Sequence, residues 1–246
     1  MTEQQVTAGM LAIGDELLSG RTKDRNIGFL AEMLTAAGID LLEVRIVADD
    51  ETAIVEALNA LRARYTYVFT SGGIGPTHDD ITADAVATAF GVACEHDAKA
   101  MKLLGDHYAG RDMEFTEARK RMARMPVGAV HIDNPVSKAP GFIIGNVHVM
   151  AGVPSVFQAM VNQVIGTLKT GARLHSDSVV CPHGEGDIGG PLGEIQKNHR
   201  DVVIGSYPRF DGRKFSTEIV MRSRDEGAIA AAKSDVEAMI AAIAAR

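Results

Sequence analysis

The sequence predicts an α/β protein: residues 1–170 as a mainly parallel sheet covered by helices on both faces, and residues 171–246 as a small α+β domain. Three observations carry that expectation. Apolar, β-branched runs of strand length alternate with segments of helical periodicity from Ala8 to Leu168, a pattern that stacks parallel strands through helical crossovers. A glycine turn, T-S-G-G-I-G-P-T-H-D-D-I-T at Thr70–Thr82, joins one strand to the helix after it. Near Thr170–Arg173 the alternation gives way to strand, helix, two strands and helix, which suits an antiparallel sheet.

Each element follows from its residues. Ala8–Gly14 is a short buried strand, and Ile27, Leu30, Ala31 and Leu34 mark a helix over Asn26–Ala37 that Gly38 ends. Ile39–Val47 is the second strand, Glu51–Leu61 the second helix, Tyr65–Thr70 the third strand and Ile81–Phe90 the third helix. Asp97–Met125 is helical with a break near Gly105–Gly110; Gly128–Asp133 and Gly141–Ala151 are strands; Pro154–Leu168 is an amphipathic helix. In the small domain, Ser178–Cys181, Val202–Tyr207 and Phe215–Arg222 are strands. Asp187–His199 is a helix interrupted by Gly189-Gly190-Pro191, and Asp225–Ala245 is Ala-rich with a stripe of Ile229, Val236, Ile240 and Ile243.

Composition narrows the function. Hydrophobic residues make up 46% of the 246 and aromatics 5%, with no Trp, so the core is aliphatic. A net charge of −7 argues against nucleic acid or an anionic membrane as partner. Cys94 and Cys181 form no zinc or disulfide pattern, and the absence of a signal-like or membrane-length apolar run predicts a cytoplasmic protein.

The glycine turn points to a small anionic ligand. Gly72, Gly73 and Gly75 can adopt positive φ and let amides approach a phosphate at a helix N-terminus. Asp79 and Asp80 beside a pyrophosphate would repel it unless a divalent cation lies between. The plain alternative is a glycine turn followed by a carboxylate helix cap. His78 has the right ordinary pKa for a general base, but a single loop histidine is more often incidental.

Taken together, the motifs resemble the MoaB/Mog molybdopterin-binding fold, and within it the CinA N-terminal domain and the related domain of eukaryotic FAD synthases. They are G-D-E-L-L-S-G at Gly14–Gly20, Asn26, V-A-D-D-E at Val47–Glu51, the glycine turn, N-P-V-S-K-A-P-G-F at Asn134–Phe142 and A-G-V-P-S at Ala151–Ser155. I-G-S-Y-P at Ile204–Pro208 resembles the small C-terminal domain of the same subgroup. MoaB-like proteins usually read G-G-T-G at the central turn, and Ile74 here favours the CinA and FAD-synthase branch. The resemblance implies a three-layer domain and homo-oligomers of at least a dimer. Full-length CinA commonly carries a further C-terminal nicotinamide-nucleotide amidase domain; nothing of that size follows Arg246, so that activity is expected to be absent.

The resemblance further implies a site. Asp49 and Asp80 would be catalytic, and with Glu16 would hold a divalent cation (Mg²⁺, Mn²⁺, Co²⁺ or Ni²⁺); Glu16 and Asp49 also admit capping or turn roles. Gly72, Gly73, Gly75, Thr77, Asn134, Ser137, Lys138 and Gly152 would bind a nucleotide or pterin, with Lys138 the phosphate cation or else a solvated surface lysine. The implied activity is metal-dependent hydrolysis of a pyrophosphate such as ADP-ribose or FAD. The alternatives are molybdopterin binding or adenylylation, or a pocket without turnover. Gly205–Pro208, with Arg209 and Arg213 nearby, is expected in a strand-end turn where Tyr207 can stack on a ligand ring; a turn with solvated arginines is the alternative.

Overall fold

The computed structural model describes residues 5–210 and 212–245. They form two compact units, one ending at Gly171 and the other beginning at Ala172.

The first unit runs β1 (Thr7–Ile13), α1 (Asp15–Leu18), α2 (Asn26–Ala36), β2 (Asp40–Val47), α3 (Glu51–Arg64), β3 (Tyr67–Ser71) and α4 (Thr82–Phe90). It continues with β4 (Cys94–His96), α5 (Ala98–Ala109), α6 (Glu117–Lys120), β5 (Arg124–Pro126), β6 (Val130–Ile132), β7 (Gly141–Ile144), β8 (Val147–Met150) and α7 (Pro154–Val164). Six strands make one sheet in the order β2-β1-β3-β8-β7-β6. The pairings β2–β1, β1–β3 and β3–β8 are parallel; β8–β7 and β7–β6 are antiparallel.

Successive strand residues point to opposite faces, so each apolar strand feeds two cores. Leu11, Val68 and Val149 pack with Ile54, Leu58, Val86 and Leu104 of α3, α4 and α5 on one side. Met10, Phe69 and Met150 pack with Leu30, Leu34, Phe157 and Val161 of α2 and α7 on the other. Local signals set the helix ends: Asp50 accepts the Ala53 N–H at 2.8 Å, Asp97 accepts the Ala100 N–H at 2.8 Å, and Gly91 closes α4 at φ 66°.

Two expectations are corrected here. Gly141–Ala151 is a hairpin, not one strand: Gly145 takes φ +57° and Asn146 fixes the turn by donating to the Arg62 and Tyr65 carbonyls. The segment read as helix with one break contains only α5, α6 and a 3-10 turn, because its end pairs as β5 with β4.

The second unit runs β9 (His175–Cys181), α8 (Glu185–Asn198), β10 (Val203–Phe210), β11 (Phe215–Ser223) and α9 (Glu226–Ala244), with an antiparallel sheet in the order β10-β11-β9. Ile188, Leu192, Ile219, Met221, Ile229 and Val236 form its core. α8 is continuous through Pro191, contrary to the expected interruption. Gly190 has no Cβ to collide with the proline ring, so the residue before proline can stay helical. Gly205–Pro208 is likewise no turn: Tyr207 and Pro208 sit mid-strand opposite Glu218 and Thr217. Arg209 pairs with Glu218, and the Tyr207 hydroxyl accepts from Arg222 at 3.1 Å. Among the described residues no helix is long and apolar enough to cross a membrane.

His148 of β8 makes the first unit sensitive to acid. Its ring is 4% exposed, stacks on Phe69 at 5.0 Å and meets Tyr67 edge-on at 5.7 Å, and its Nδ1 has no hydrogen-bond partner. Burial pushes its pKa from the ordinary 6.5 down to about 4. Between those values the unfolded chain binds a proton that the native chain refuses, so stability is lost as pH falls through this window. From pH 7 to pH 4.5 the loss from this one group is about 2 to 3 kcal/mol. His148→Phe should remove that part of the pH dependence. Urea unfolding of both proteins at the two pH values checks this, and equal losses would assign the acid sensitivity elsewhere.

Candidate functional site

β1, β3 and β8 end together, and their joining loops meet backbone to backbone. Gly72 follows β3 at φ +110°, donates its N–H to the Met150 carbonyl at 3.2 Å, and lies where a Cβ would come within 2.2 Å of the Ile13 carbonyl oxygen. Gly73 takes φ +67°, where a Cβ would meet the Thr82 hydroxyl at 2.1 Å. Thr82, buried at the first turn of α4, donates its hydroxyl to the Gly72 carbonyl at 3.0 Å and its N–H to the Gly73 carbonyl at 2.9 Å. Asn26 ties in the remaining loops, donating from Nδ2 to Ser71 Oγ at 2.7 Å and to the Gly152 carbonyl at 2.8 Å.

A cavity of about 550 Å³ opens above this junction. Glu16, Asp49, Asp79 and Asp80 line it, and among the described residues no lysine, arginine or histidine does. Among the described residues the amides of Gly73, Ile74 and Gly75 have no backbone acceptor. Asp49 is half-buried and accepts the Asp15 N–H at 3.0 Å. Burial, reinforced by the charges of Asp15, Glu16 and Asp79, raises its pKa despite that hydrogen bond.

Residues 9–170 match the family model described as "Probable molybdopterin binding domain". The chain belongs to this family. Residues 173–245 match the middle domain of FAD synthase. A protein of Pyrobaculum arsenaticum is 36% identical over 211 residues, 82% of this chain and 80% of that protein. One of Aeropyrum pernix is 35% identical over 216 residues, 84% of this chain and 81% of that protein. The crystal structure of the CinA protein of Thermoplasma acidophilum, 31% identical, covers 66% of this chain and 98% of its own at a TM-score of 0.62.

In this molybdopterin-binding-like domain the cavity gathers Glu16, Asp49, Asp80, Gly72, Gly73, Gly75, Asn134, Ser137 and Gly152 of the expected site. It does not gather Thr77 or Lys138. The Thr77 N–H and hydroxyl both donate to Asp80 Oδ2, at 2.7 and 2.5 Å, so this pair staples the turn. Lys138 adopts φ +64° and lines a neighbouring cavity with Asp133, Asn134 and Gln163, not the main one. Asn134 organises its own loop: Oδ1 accepts from Val136 and Ser137, and Nδ2 donates to Ser137 Oγ and the Ala139 carbonyl.

Glu16, Asp49 and Asp80 share the cavity without converging. Among the described residues no three His, Cys, Asp or Glu side chains stand close enough together to hold a metal, so the expected three-carboxylate set is not preformed. His78 is an exposed side chain 3.9 Å from Asp79. Two groups escaped the sequence reading. Arg121 reaches the back of the turn to donate to the Asp80 carbonyl at 3.2 Å, and Arg124 grips Asp84 of α4 with two hydrogen bonds of 2.8 and 2.5 Å. Both follow α6, and only tertiary folding returns them to residues 80–84.

The junction has a direct stability test. Gly72→Ala should cost about 2 kcal/mol or more, since it combines a strained φ with a backbone clash. Gly28→Ala, in open space on α2, should be neutral or stabilising by up to about 1 kcal/mol. Denaturant midpoints of the two variants measure the contrast; similar midpoints would show that the junction can open to admit a methyl group.

Proposed function

We propose that the chain hydrolyses the pyrophosphate of a small dinucleotide or nucleotide sugar, such as FAD or ADP-ribose, with a divalent cation. One observation carries the reading: four carboxylates and unpaired turn amides line one cavity that, among the described residues, has no cationic side chain in its wall. The amides suit phosphate oxygens, while the carboxylates would repel them, so a cation from solution reconciles the two. The donors fit a hard cation of the magnesium class, which takes one or two carboxylates and completes its shell from phosphate and water; a preformed three-carboxylate cage is not required. Asp49 would hold such an ion, which when bound would neutralise phosphate charge and acidify water.

The chain's own residues supply the rest. The Gly73–Gly75 amides orient the phosphate against the turn, and Ile13, Ile74 and Val156 supply aliphatic walls for the rest of the ligand. The burial and neighbouring carboxylates that raise the Asp49 pKa are the strain a bound cation would relieve. The match of residues 173–245 to the FAD synthase middle domain supports a dinucleotide as the ligand class.

A pocket that binds a pterin or nucleotide without turning it over is the second reading, favoured by the commitment of Asp80 and Asn134 to hydrogen bonds within their loops. Product analysis separates the two. ADP-ribose or FAD incubated with the protein and Mg²⁺, Mn²⁺, Co²⁺ or Ni²⁺ should yield two monophosphates, and chelator should stop the reaction. Asp49→Asn should lower kcat by about a hundredfold or more with little change in melting temperature. Absence of monophosphates with all four metals would leave the binding reading.

A further inference from the structure

The loop between α1 and α2 walls a second cavity, of about 50 Å³. It shares Ile13, Glu16, Thr22, Gly152 and Pro154 with the main cavity and so forms an annex to it. Asn26, 3% exposed, lines the annex. Both hydrogens of its Nδ2 are spent on Ser71 Oγ and the Gly152 carbonyl, and a carbonyl can only accept, which fixes the orientation of the amide. Its Oδ1 is buried and has no hydrogen-bond partner. A buried acceptor left unpaired is costly, and in the wall of a ligand cavity it marks where a donor arrives.

The surroundings define that donor. The amides of Asn26 and Ile27 at the start of α2 are already taken by Asp24 Oδ1, at 3.1 and 2.8 Å, so the first two N–H groups of this helix are not free for a phosphate. The second acceptor in the wall is the Glu16 carboxylate, and Lys23 and Arg25 in the same wall oppose a bare metal ion. A water fills about 30 Å³ in the liquid, so the annex admits one or two hydroxyl-sized groups and excludes a purine, flavin or pterin ring.

We propose that the annex is a ribose subsite: Asn26 Oδ1 and the Glu16 carboxylate accept hydrogen bonds from the vicinal hydroxyls of a nucleotide whose phosphates lie against the glycine turn. Carboxylates read ribose hydroxyls in the same way in dinucleotide-binding folds. The subsite rests on the nucleotide reading above and names what that reading leaves open, the sugar that is recognised. It also separates ribonucleotides from deoxyribonucleotides at this site, because a ligand lacking the hydroxyl leaves the buried oxygen unpaired.

Calorimetric titration of the full chain with ADP, 2′-deoxy-ADP and 3′-deoxy-ADP, each with Mg²⁺, tests this. All three carry the same base and phosphates. At least one deoxy analogue should bind about tenfold or more weakly than ADP, and Glu16→Ala should bring the three affinities within about threefold of one another. Equal affinities for the unmodified protein would overturn the ribose subsite and leave the nucleotide reading standing. Full discrimination surviving in Glu16→Ala would overturn the placement of the sugar in this annex. Failure of all three to bind would overturn both readings.

Discussion

Backbone meets backbone at Gly72, and the rest of the site depends on that contact. The carbonyl of Ile13 occupies the space a side chain at Gly72 would need, and Gly152 approaches so closely that its own Cβ would lie 3.2 Å from the Gly72 Cα. The ends of β1, β3 and β8 can therefore converge. Thr82 then locks the turn from below and Asn26 from the side. The acidic residues of the cavity sit just past strand ends around it: Glu16 in α1 after β1, Asp49 after β2, Asp79 and Asp80 after β3.

Much of this was legible in the sequence because buried parallel strands are apolar runs and crossover helices repeat every three to four residues. β1 through α4 carry that pattern with the glycines between them. The β7–β8 hairpin was hidden, since two four-residue strands buried on both faces read as one continuous run. The β4–β5 pair was hidden for another reason: its three-residue strands pair residues about thirty positions apart, and no local composition signals that. For the site, the residue types were readable and their orientations were not. Asp80 stands where the motif puts it, yet the hydroxyl of Thr77 turns its carboxylate into a structural bond. Lys138 is next to Ser137 in sequence, but its left-handed backbone accompanies a side chain that faces another cavity. Arg121 carried no signal at all, because its contact with residue 80 spans forty-one positions.

The electrostatics of the cavity are unbalanced, and that imbalance is informative. Arginines do lie close by, but Arg121 and Arg124 stand behind the turn, engaged with Asp80 and Asp84. They brace the loop and leave the front wall negative. The raised pKa of Asp49 reports the same field from inside: burial first, then the neighbouring carboxylates, make its charge expensive. An arrangement that disfavours its own ionisation attracts positive charge, whether a proton or a metal ion.

The glycine junction also shapes how such a protein can diversify. Where backbone touches backbone, substitution has almost no permitted alphabet, so mutation cannot gradually re-sculpt the floor of the cavity. The neighbouring loops are under no such restriction: Thr22, Lys23 and Arg25 are exposed on one side, and Pro135, Val136 and Lys138 crown the other. Drift toward a new ligand would therefore accumulate on the rim, with the glycine floor inherited unchanged.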